Sequence, residues 1–85
     1  MPDAPTREAI LKLYAKHLTD AERAHLAAAS GAASGRDLRD VCEAAERRWA
    51  ARRVRDEPAA RTRALPPVDE YADALASRLA QMKHA

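Results

Sequence analysis

Apolar residues recur along this chain at three- and four-residue steps and nowhere alternate, so every regular element they predict is a helix. The longest opens at Gly35, with Leu38, Val41, Cys42, Ala45 and Trp49 on one stripe. Ser34 stands where an N-cap belongs. Asp37, three residues on, completes a capping-box-like pair and suits the positive end of the helix dipole. Upstream, Ile10, Leu11, Leu13, Tyr14 and Leu18 form a broad apolar stripe, with Arg7, Glu8, Lys12 and Lys16 facing away. Asp3 is placed to cap that helix, and Pro5 lies in its first turn, where a missing N–H is harmless. Thr19-Asp20-Ala21-Glu22 is a second capping box, opening a short alanine-rich helix that Gly31 closes from the C′ position.

Residues 56–67 have no periodicity and read as a loop. The helix before it should end ahead of Pro58, because the residue preceding a proline is biased away from the helical region. After Pro66-Pro67, helical spacing returns with Val68, Tyr71, Ala72, Leu75, Leu79 and Met82. The pattern predicts one all-α domain of four helices, over about 3–18, 20–30, 35–55 and 68–83. Its core should hold Leu38, Val41, Ala45, Trp49, Tyr71, Leu75 and Leu79.

Composition thins that picture. The 85 residues include no phenylalanine, and the aromatics are Tyr14, Trp49 and Tyr71, so alanine and leucine must build most of the core. Fifteen basic and 13 acidic residues leave a net charge of +2, a mixed surface that points only weakly to nucleic acid. The lone Cys42 has no disulfide partner and falls on the apolar face of its helix, as a structural thiol does. No apolar run reaches the roughly 18 residues of a membrane span, and Met1 to Pro5 lacks the regions of a signal peptide, so a cytoplasmic location is expected.

Candidate chemistry is sparse. His17, His25 and His84 share no metal-ligand spacing with each other or with Cys42 and are expected at the surface or its boundary; no metal site is predicted. Neither a phosphate-cradling glycine loop nor a nucleophile motif is present, so no catalytic centre belongs to these residues alone. Arg47, Arg48, Arg52, Arg53, Arg55, Arg61 and Arg63 form a basic run. It reads either as a phosphate-backbone track or, with Glu43, Glu46, Asp56 and Glu57 interleaved, as a solvated and self-paired face. The favoured reading is the second. Arg36 is the awkward residue, since a cation in the first turn of a helix opposes the dipole by roughly 0.3–1 kcal/mol. It either pairs with Asp40 at i+4 or serves an anion at the free N–H groups.

The stretch Arg7-Glu8-Ala9-Ile10-Leu11-Lys12-Leu13-Tyr14-Ala15-Lys16-His17-Leu18, then the alanine-rich helix, then Ser34 through Ala45 resembles the small helical lid domain that follows the large nucleotide-binding domain of AAA+ ATPases. Pro2-Asp3 looks like that family's proline-aspartate hinge, and Val68-Asp69-Glu70-Tyr71-Ala72-Asp73-Ala74-Leu75 resembles its last helix. The likeness covers nearly the whole chain and keeps four segments in order.

The resemblance implies a AAA+ lid-type bundle that closes over ATP or ADP with Mg, held by a separate large domain carrying the phosphate loop, the metal-binding acid and the arginine finger. By position, Ile10 and Tyr14 would line the adenine side and Gly35 would let backbone approach the nucleotide. Arg36 would be the second-sensor residue that reaches the γ-phosphate. Partners would be the large domain and neighbouring subunits of a homo-oligomeric ring, a hexamer in the usual case. The isolated chain would be inactive and hold no cofactor by itself. The family often has histidine where Tyr14 stands, and serine or threonine where Pro67 precedes the last helix. The alternatives are a stand-alone four-helix interaction module and an arginine-rich nucleic-acid module.

Overall fold

A computed structural model describes residues 3–31 and 33–83. Pro2 of the hinge-like dipeptide, Ala32 of the central turn and His84 lie outside the described residues. Helices α1 (Ala4–Tyr14), α2 (Asp20–Ala29), α3 (Gly35–Val54) and α4 (Val68–Lys83) are joined by turns, with one 3-10 turn at Pro58–Ala60, and no strand occurs among the described residues. The chain is all-α, and α3 is its axis: α4 packs along one side of it and α1 along another, while α2 closes against α1 and α4.

The caps form as the polar pattern predicts. Asp3 accepts the Thr6 N–H, and the reciprocal capping boxes Thr19/Glu22 and Ser34/Asp37 open α2 and α3. The core joins Leu11, Leu18, Leu26, Leu38, Val41, Cys42, Tyr71 and Leu75 with small residues such as Ala15, Ala27 and Ala45. Trp49 is also buried, donating its indole N–H to the Arg63 carbonyl at 2.9 Å, while Leu79 is only partly buried.

Three expectations fail for identifiable reasons. Helix α1 stops at Tyr14, not near Leu18: Ala15 leaves helical geometry, and the buried Arg23 guanidinium donates to the Ala15, Lys16 and Leu18 carbonyls that another turn would have left unsatisfied. Arg7 is not on the outer face. It is buried and donates from Nε to the Ala27 carbonyl at 2.9 Å, tying α1 to the end of α2. Leu13 and Tyr14, placed on the apolar stripe, are 67% and 41% exposed, so α1 buries a narrower face than its composition suggests. Helix α3, by contrast, ends at Val54, within a residue of the expected place ahead of Pro58, but through a Schellman motif: Asp56 sits at φ 56° and donates to the Arg53 carbonyl, and Glu57 donates to that of Arg52. Proline does not set that boundary.

At the end of α2 the glycine is present without the geometry: Gly31 has no positive φ, and Ser30 closes the helix by donating from Oγ to the Ala27 carbonyl. No helix of the described residues is long and apolar enough to cross a membrane.

Candidate functional site

The turn that leads into α3 is built from its own side chains. Ser34 Oγ accepts the Asp37 N–H at 3.1 Å, and Asp37 Oδ2 accepts both the Ser34 N–H at 2.9 Å and the Ser34 hydroxyl at 3.0 Å. The other carboxylate oxygen faces α4, where Arg78 donates to it from Nε at 3.1 Å and Nη2 at 2.8 Å. Hydrogen bonding from the Ser34 backbone and then from Arg78 holds the Asp37 carboxyl below its ordinary value. Gly35 and Arg36 lie between these fixed points.

Across from the turn runs the last stretch of α1. Ile10 Cδ1 lies 3.3 Å from where a Cβ on Gly35 would stand, so the glycine permits a close helix approach there. Tyr14, Gly35, Arg36 and Arg39 line a shallow depression of about 420 Å³. Of the residues singled out from the resemblance, Tyr14, Gly35 and Arg36 line the depression from two helices, while Ile10 packs against Gly35 and is not part of its lining. Arg39, also exposed, completes the lining.

The electrostatics of the depression are one-sided. Arg36 is exposed and has no ion-pair partner among the described residues. Asp40, its expected i+4 partner, instead faces Arg78 at 3.3 Å and, more loosely, Arg39 at 3.9 Å. Arg39 also stands 3.9 Å from Glu43, at the edge of an ion pair. Two guanidinium groups thus border the N-terminal turn of a 20-residue helix with no carboxylate lining the depression. Chemically, the arrangement offers charge and N–H donors to an anion beside a half-exposed aromatic ring. It offers neither a nucleophile nor a general base.

The remaining candidates separate from this place. Four of the seven arginines in the basic run are engaged: Arg48 and Arg52 with the buried Glu70, Arg52 and Arg55 with Glu57, and Arg61 with Asp56. His17 packs its ring against Tyr71 at 5.8 Å and meets the Pro66 carbonyl through Nε2 at 2.6 Å, pinning the loop to the α1–α2 turn. His25 is exposed, and no group of three or more His, Cys, Asp or Glu side chains among the described residues is arranged to hold a metal ion. Cys42 is buried, and burial pushes its thiol up to about 12, far from thiolate chemistry at neutral pH. No family model, curated protein or solved structure matches the chain.

Proposed function

We propose that this chain is the helical lid of a AAA+ ATPase, closing over nucleotide held by a separate large domain and sensing the γ-phosphate through Arg36. The observation that carries the reading is that Tyr14, Gly35 and Arg36 line one depression, with Ile10 packed against Gly35 behind it and no ion-pair partner for Arg36 among the described residues. Arginine suits the role because its charge is permanent and its fork can hold two phosphate oxygens. The exposed Leu13 beside Tyr14 supports it too, as apolar surface for another domain to cover. In this reading ATP or ADP with Mg is the cofactor of the whole machine, and the partners are the large domain and adjacent subunits of a ring. The nucleic-acid alternative has less support, since Arg48, Arg52, Arg55 and Arg61 are already paired.

The test is a titration of the chain with millimolar ATP, followed by backbone and arginine side-chain NMR. Resonances of Ile10, Tyr14, Gly35 and Arg36 should move first, with weak affinity and no phosphate release. Shifts centred on Arg47, Arg53 and Arg63 would favour a general polyanion surface. Turnover that stays with the purified chain would contradict the division of labour.

A further inference from the structure

Arg78 lies 42 residues beyond Arg36, on α4, and touches neither the depression nor anything that lines it except through its neighbours. Its guanidinium is nevertheless shared between two carboxylates of the first turns of α3. Nε and Nη2 both donate to Asp37 Oδ1, at 3.1 and 2.8 Å, and Nη2 also reaches Asp40 Oδ2 at 3.3 Å. Asp40 is the residue that ordinary helical pairing would give to Arg36, four positions earlier on the same face. Arg36 stays free of it while Arg78 occupies it.

We infer that Arg78 is a positioning residue: by holding Asp37 and Asp40 from α4, it keeps Arg36 available to an anion and fixes the turn that carries it. The functional half of this inference rests on the nucleotide reading above; the exchange of ion-pair partners does not. Two consequences follow from the geometry. Without Arg78, Asp37 keeps its bonds to Ser34, so the helix cap survives while its link to α4 is lost. Asp40 then becomes open to Arg36, and an i+4 pair of that kind shifts populations by about twofold. A movement of α4 relative to α3 would act in the same way, which makes the site responsive to whatever contacts the last helix.

The experiment compares wild type, Arg78→Ala and Arg78→Ala/Asp40→Asn by the Nε–Hε resonance of Arg36, with and without ATP as the probe. Arg78→Ala should shift that resonance and slow its hydrogen exchange about twofold, and adding Asp40→Asn should return both toward wild type. Apparent ATP affinity should fall about twofold in the single variant and recover in the double, a rescue that a merely structural role would not produce. Arg78→Lys is the companion variant: one ammonium cannot serve both carboxylates, so the Arg36 signal should move part of the way, and the comparison survives if Arg78→Ala fails to fold. An Arg36 resonance indifferent to Arg78, or a shift that Asp40→Asn leaves in place, overturns the inference. If the resonance shifts and is rescued while ATP moves no Arg36 signal in any of the proteins, the partner exchange stands and the nucleotide reading falls.

Discussion

Replacing Arg23 by methionine removes the guanidinium that closes α1 while keeping most of the apolar stem, so it isolates the polar part of that residue's role. The side chain is 8% exposed and serves three carbonyls, those of Ala15, Lys16 and Leu18. Ala15 keeps a second donor in the Leu18 N–H at 3.2 Å, so the buried Leu18 carbonyl is the group left bare. The pair with Asp20 adds little, because that carboxylate is 95% exposed. A hydrogen bond from a charged donor contributes about 1.5–3 kcal/mol, and an orphaned buried acceptor costs about 1–3 kcal/mol. Relief from desolvating a buried cation offsets part of the loss. The expected net destabilisation is about 2–4 kcal/mol, a large share of the stability of so small a domain. At about 4–8 °C per kcal/mol, the melting midpoint should fall by roughly 10–25 °C. Thermal unfolding followed by circular dichroism at 222 nm measures it, with urea titration as the check on two-state behaviour. Arg23→Lys should recover only part, since an ammonium lacks the fork. A change below about 0.5 kcal/mol, the usual range for surface substitutions, would refute the claim that Arg23 ends the helix.

Three further outcomes follow from local geometry. Asp56→Gly should raise stability by about 0.5–1 kcal/mol in chemical denaturation, because φ 56° strains an L side chain and the partner it loses, Arg61, is exposed. Acid should unfold the protein partly through Asp37. Its carboxyl is depressed in the folded state by Ser34 and then Arg78, so its contribution is whole above the ordinary value of 3.8 and is lost as pH falls through the lower folded value. Stability measured from about pH 5 downward should therefore drop less steeply in Asp37→Asn than in wild type. Cys42, 1% exposed and with its thiol raised by burial, should resist iodoacetamide at pH 8 and react only at the rate of unfolding. Labelling of the native protein at the rate of a free thiol would show that the α3 face is wrongly assigned.

What was legible in the sequence divides along physical lines. Period and capping chemistry are local, so the four helices, the polar starts of the first three and the buried Leu38, Val41, Ala45, Trp49, Tyr71 and Leu75 could be read from residues within one or two turns of each other. The ends of helices were harder, because their carbonyls found partners the linear pattern does not reveal. Arg23 and Arg7 look like surface cations, yet each is buried to satisfy carbonyls of another segment. One signal was available for Arg23: it follows a second helix start so closely after α1 that its side chain can reach back to the helix it caps. Asp56 is a polar left-handed residue where glycine is the usual clue. That Tyr14, Gly35 and Arg36 lie side by side is a matter of packing between α1 and α3, and neither that packing nor its electrostatics follows from local pattern. Asp40 is taken up by Arg78, 38 residues away, and Arg36 has no ion-pair partner among the described residues.

The account turns on Arg36. Under the proposed lid role, the most direct measurement is steady-state ATP turnover, alongside ADP affinity, of the chain joined to the large domain that role requires, carrying Arg36→Ala. A contact made with the γ-phosphate in the closed state belongs to the transition state more than to nucleotide capture. Its loss should raise the barrier by roughly 2–4 kcal/mol, about thirty- to a thousand-fold in rate, with ADP affinity nearly unchanged. Arg36→Lys should restore only part of the rate. Because Arg39 borders the same depression, the control is Arg53→Ala, which should stay near wild type. No ATP turnover by that assembly with Arg36 intact, or equal losses at Arg36 and Arg53, would contradict the assignment.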